Sequence, residues 1–185
     1  MSTENKSPSL AMKTILAVSL IVVAAALRIA PHPWNFTPIG AMAIFSGTML
    51  RSRWMKFTLP LLALFAGDVF VGFHKLMPAV YASFLVSVAI GIWLENRRSV
   101  ARIGAATLAG ATQFFLVTNF AVWLAFDTYP KTVAGLAACY AAGLPLFANT
   151  LAGDASYVAL LFGGYALAER LLLPARQPAE LTELN

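Results

Sequence analysis

Charged residues cut this chain into apolar runs that can be read one at a time. Lys13 and Arg28 bracket the first, and Arg28 to Arg51 holds the second. Lys56 to His74 holds a third, broken only by Asp68. Lys75 to Glu95, Arg102 to Asp127, Lys131 to Asp154 and Asp154 to Glu169 hold the rest. Apolar runs that approach twenty residues read as transmembrane helices. They predict an all-α polytopic transmembrane bundle with helices over residues 12–30, 38–50, 57–73, 78–94, 103–126 and 149–173. Two X-Pro steps in the turn Pro31-His32-Pro33-Trp34-Asn35-Phe36-Thr37-Pro38 keep the first two helices apart. Thr37 suits an N-cap and Pro38 a first helical position. The second helix, about 20 Å long at 1.5 Å per residue, falls short of a core about 30 Å thick. It is therefore expected to begin at membrane depth, where irregular backbone is tolerated only inside protein or against a wet cavity.

Residues 132–147 are ambiguous. They carry Gly143 and Pro145 and suit a re-entrant or amphipathic helix before the sixth helix, but a seventh span fits them too. Charge separates the two. With six spans, Lys6, Lys13, Arg51, Arg53, Lys56, Arg97, Arg98, Arg102, Arg170 and Arg176 share one side, against Arg28, Lys75 and Lys131 on the other, a 10 to 3 split. A seventh span moves Arg170 and Arg176 across and leaves 8 to 5. The positive-inside rule favours six spans with both termini cytoplasmic. The expected organisation is one transmembrane domain, 12–173, between disordered cytoplasmic ends at 1–11 and 174–185, in a bacterial inner membrane. Ala24-Ala25-Ala26 after an apolar stretch resembles a signal-peptide end, but apolar character continues through Ile29 and Ala30.

Composition agrees: 59% of residues are hydrophobic and 11% charged, against about 25% charged in soluble domains. The formal charge of +5 comes from cations clustered beside apolar runs, so it reads as topology and points to a lipid bilayer rather than nucleic acid. The single cysteine, Cys139, excludes an internal disulfide and a multi-thiolate metal site. Small residues recur every fourth position at Ala101, Ala105 and Ala109 and at Ala43 and Gly47, which lets helices approach closely. These 185 residues hold no GxSxG, no serine–histidine–aspartate set, no Walker A motif and no cofactor motif.

The polar residues then gather on the outer side: Arg28, His32, Trp34, Asn35, Asp68, His74, Tyr81, Asn119, Trp123, Tyr129, Asn149 and Asp154. Asp68 stands out, because an ionisable group inside a span costs roughly 2.5–3.5 kcal/mol and needs a partner. Arg28 is the candidate, either in a ligand site or as a clasp between two helices. His32 and His74 with Asp68 suit a transition metal, or else His32 is turn structure and His74 an interfacial residue. Trp34, Trp123, Tyr81 and Tyr129 are an aromatic belt or a stacking surface. Asn119 needs partners in lipid, and Gln113 reads as interhelical glue. Asn149 is expected to cap the sixth helix, with Asp154 in its first turns against the positive dipole end.

Four stretches resemble an uncharacterised family of bacterial multi-pass membrane proteins: Arg28 to Pro38, Gly67-Asp68-Val69-Phe70-Val71-Gly72-Phe73-His74, Thr118-Asn119-Phe120-Ala121-Val122-Trp123, and Tyr129-Pro130-Lys131-Thr132 through Pro145 to Asp154. More remotely, six helices, a short second helix and polar outer loops are similar to the S components of energy-coupling-factor vitamin transporters. That resemblance implies outer loops closing over a small ligand around His32, residues 68–74 and residues 127–149. It also implies docking on an energising module through an Ala-xxx-Ala patch on the first helix. Here Lys13-Thr14-Ile15-Leu16-Ala17 lacks such a patch, which leaves a solitary transporter open. The expectation is a protein that captures a vitamin-like or polar solute from the outer face. The alternatives are a metal-site protein or enzyme using His32, Asp68 and His74, and a structural subunit.

Overall fold

In the computed structural model, which describes residues 8–28, 31 and 33–172, the chain forms six helices and, among those residues, no strand. They are α1 (Pro8–Leu27), α2 (Ile39–Met49), α3 (Arg53–Val71), α4 (Met77–Leu94), α5 (Val100–Ala125) and α6 (Val133–Leu172). Leu10–Leu27, Met77–Leu94, Val100–Ala125 and Val133–Leu171 are long and apolar enough to cross a membrane. The expected disordered ends fall largely outside the described residues, except that α1 already starts at Pro8.

The short α2 is the axis of the bundle. Ile39 and every residue from Ala41 to Thr48 are buried, the pattern of a helix enclosed on all sides. It touches all five other helices. Gly47 lies against the Val88 carbonyl, and Gly91 of α4 against the Ile44 carbonyl, so α2 and α4 meet backbone to backbone. The Thr48 hydroxyl donates across this contact to the Gly91 carbonyl at 2.9 Å. Phe45 packs edge-on to Phe162 of α6, with ring centroids 5.1 Å apart. The Ala43–Gly47 pair thus sits at a close helix approach. Ala101, Ala105 and Ala109 are exposed instead, and α5 meets α2 through Gly110 against Ile44.

Pro60 lies inside α3 and has no N–H for the carbonyl of Lys56, four residues back. The buried Ser46 hydroxyl of α2 donates to that carbonyl at 3.0 Å. A side chain of the central helix thereby replaces the missing bond. At the same end of the bundle, buried Lys56 pairs with Glu95 at 2.6 Å and Lys13 with Glu169 at 2.5 Å.

The expected division between residues 132–147 and the sixth helix is corrected by the structure. α6 is one helix of 40 residues with Pro145 inside it, about 60 Å long. Pro145 deletes one backbone hydrogen bond, which helices at membrane depth tolerate. Gly143 is a packing residue, lying against Asn119 and Phe115 of α5. Tyr140 donates to the Leu116 carbonyl at 2.9 Å and its ring packs on Phe115.

Candidate functional site

α1 and α3 end where α2 and α4 begin, and the ionisable groups meet there. Arg28, just past α1, reaches Asp68 of α3 with Nη2 2.7 Å from Oδ1. Its Nη1 donates to the Leu64 carbonyl at 3.3 Å. Gly67 lets the guanidinium lie flat on α3, because any Cβ there would stand 2.6 Å from Nε. The Tyr81 hydroxyl of α4 donates to the other Asp68 oxygen at 2.8 Å. Asp68 is 2% exposed and both its oxygens are held. α3 closes at Gly72, whose φ of 103° suits glycine.

A second carboxylate lies across the cavity. Asp154 of α6 is 4% exposed, and its Oδ1 accepts the Ala41 N–H at 3.1 Å. Both oxygens rest over the α-carbon of Gly40, and a Cβ there would stand 2.6 Å from Oδ2. Asp154 therefore caps a helix, but the helix is α2 rather than its own. The expected cap by Asn149 is corrected likewise: Asn149 lies inside α6 and donates to the Trp34 carbonyl at 3.1 Å. Gly153 receives the backbone of Phe36 and Thr37, and Tyr157 packs on Phe36 with centroids 5.8 Å apart. One face of α6 thus carries the turn that starts α2. Thr37 makes no capping bond, and Pro38 occupies the cap position. Asn35 turns the chain with φ of 61°.

These groups enclose a cavity of about 150 Å³ lined by Arg28, Asn35, Asp68, His74 and Asp154, with Thr37, Ser87 and Thr150 adding hydroxyls and Phe84 and Phe114 apolar faces. It adjoins a second chamber of about 310 Å³ toward Asn119, Phe147 and Leu146. Asn35, His74, Val80, Phe114 and Thr150 line both. Asn119 donates from its amide to the Phe115 carbonyl at 2.8 Å, and its own carbonyl accepts from Cys139 at 3.4 Å. Gln113 bridges helices as expected, donating to the Ser83 carbonyl and the Ser87 hydroxyl.

The remaining candidates lie elsewhere. Trp34 is 84% exposed and does not line either chamber. Trp123 donates to the Pro130 carbonyl at 2.9 Å under the Lys131 ammonium, at the loop joining α5 and α6. Tyr129 belongs to that loop. His32 lies outside the described residues; among those described, no three His, Cys, Asp or Glu side chains gather around a metal-sized point. Sequence reasoning missed Gly40, Thr37, Ser87 and Thr150. Gly40 beside a prolyl turn was the one visible signal, a bare backbone where something had to approach.

The molecule is thus an all-α, membrane-type helical bundle with two buried carboxylates lining one cavity. Residues 8–177 match a family of unknown function, DUF6580, and the chain belongs to that family. No curated protein and no solved structure matches it.

Proposed function

We propose that the protein binds a small polar or vitamin-like solute in this cavity and carries it across the bacterial inner membrane. The solute enters from the face where α1 and α3 end. The observation that supports this is the placement of Asp154: a carboxylate in an apolar bundle is costly, and this one lines a chamber rather than pairing with a cation. The reading extends the S-component resemblance, with the protein acting alone or with an energising module. Arg28–Asp68–Tyr81 favours a second role at the same place, a lock between α1, α3 and α4, because that network engages both Asp68 oxygens.

Thr150 lines both chambers, so Thr150→Phe fills the passage between them. Purified protein dialysed against an aqueous metabolite extract is expected to enrich at least one compound, read by mass spectrometry. The same compound should not be enriched by Thr150→Phe, and cells producing the wild type should accumulate it. Equal enrichment by both proteins would place binding elsewhere and refute the proposal.

A further inference from the structure

We infer that the cavity of about 150 Å³ lined by Asp154 takes a small organic amine as its cation, with Asp154 receiving the ammonium group. This rests on the reading of the cavity as a solute site and assigns its charge and size. Of three ionisable groups that line the chamber, two have fixed roles. Arg28 is bound to Asp68 and the Leu64 carbonyl, and Asp68 is held by Arg28 and Tyr81. That pair is neutral overall. Asp154 is the third: 4% exposed, with the Ala41 N–H its donor through Oδ1 and, among the described residues, no donor to Oδ2. His74 also lines the chamber and is exposed.

The α2 N-terminus offsets roughly half an elementary charge, so with Asp154 ionised the chamber is net negative and Oδ2 is an open acceptor. A buried anion is stabilised by a cation that brings its own hydrogen-bond donors. Phe84 and Phe114 on the same lining suit the body of such a ligand and attract its charge. Thr37, Ser87 and Thr150 supply hydroxyl acceptors for the remaining ammonium protons. The volume, about 150 Å³, matches a ligand of benzene's size. An anion would meet Asp154 with, among the described lining residues, no lysine or arginine outside the Arg28–Asp68 pair to offset it.

The test uses three probes of one shape: benzylammonium, benzyl alcohol and benzoate, titrated calorimetrically into detergent-purified protein near neutral pH. The expected order is benzylammonium tightest, by about tenfold or more over the alcohol, with benzoate weakest. Asp154→Asn should bring benzylammonium down to about the level of the alcohol. Wild-type selectivity decides the matter alone if that variant does not fold. If the alcohol binds as well as the ammonium, and Thr150→Phe abolishes both, the charge assignment falls while the solute site stands. Tighter benzoate binding overturns the assignment, as does sodium binding that depends on Asp154 without any amine binding. Failure of all three probes to bind counts against the amine and the solute site together.

Discussion

Asp68 and Asp154 are buried to the same degree in the same cavity, yet their partners give them opposite consequences. Asp68 answers a guanidinium and a phenol, so removing it alone strands Arg28. Asp68→Leu is expected to cost about 3–5 kcal/mol. Pairing it with Arg28→Met removes both charges and should restore most of that loss. Tyr81→Phe frees one Asp68 oxygen and should cost about 1–3 kcal/mol. Unfolding in mixed detergent, followed by tryptophan fluorescence, measures all three. A double variant as unstable as the single would show that the pair contributes more than mutual neutralisation. Asp154 has only a backbone amide, so its loss is expected to remove the α2 cap, at about 0.5–2 kcal/mol, and to weaken binding.

Between elements, the closest approach is α2 on α4, and two glycines make it possible. A methyl at Gly91 would run into the Ile44 carbonyl, which is fixed backbone. Gly91→Ala is therefore expected to destabilise the bundle by about 1–3 kcal/mol. Gly104 on α5 has nothing within 4 Å of the same position. Gly104→Ala should be neutral or stabilise by up to about 1 kcal/mol through helix propensity. Thermal unfolding of the two variants side by side checks this, and similar losses in both would contradict the contact. The existence of six helices was legible because charges and prolines punctuate the apolar runs. The start of α6 was not, because Gly143 and Pro145 read as breakers when considered alone. Only the side chains of Asn119 and Phe115 show that Gly143 is small in order to be packed. The Arg28–Asp68 pair was legible, since two charges near helix ends in lipid must find each other. The meeting of Asp154 with Gly40 was not: the residues lie on different helices, and no local spacing records the contact. The aromatic residues Trp34, Trp123 and Tyr129 lie away from both chambers for a related reason. They were grouped with the site by membrane level, and level does not specify direction.

At the scale of the whole molecule, the ends of the bundle differ in charge. Lys13, Lys56, Arg98 and Arg102 belong to the end where Glu95 and Glu169 close ion pairs and Arg98 reaches the Met49 sulfur at 3.1 Å. Lys75 and Lys131 lie toward the other end, over the rings of Phe126 and Trp123. In the proposed orientation, which rests on the positive-inside rule, the cavity opens away from the cytoplasm. α6 sharpens the test, because at about 60 Å it is twice the hydrocarbon thickness. It either crosses once with its first half beyond the bilayer or strongly tilted, or it is divided in the membrane into two spans. The two cases place Arg170 on opposite sides. In a Cys139→Ser background, single cysteines at the exposed positions Asn96, Asp127 and Arg170 can be treated with a membrane-impermeant maleimide. One crossing predicts that Asp127→Cys is labelled in right-side-out vesicles, while Asn96→Cys and Arg170→Cys are labelled only when the vesicles are inverted. Labelling of Arg170→Cys together with Asp127→Cys would mean that α6 crosses twice. It would also reduce the charge split to 8 to 5, and with it the argument for which face the cavity meets.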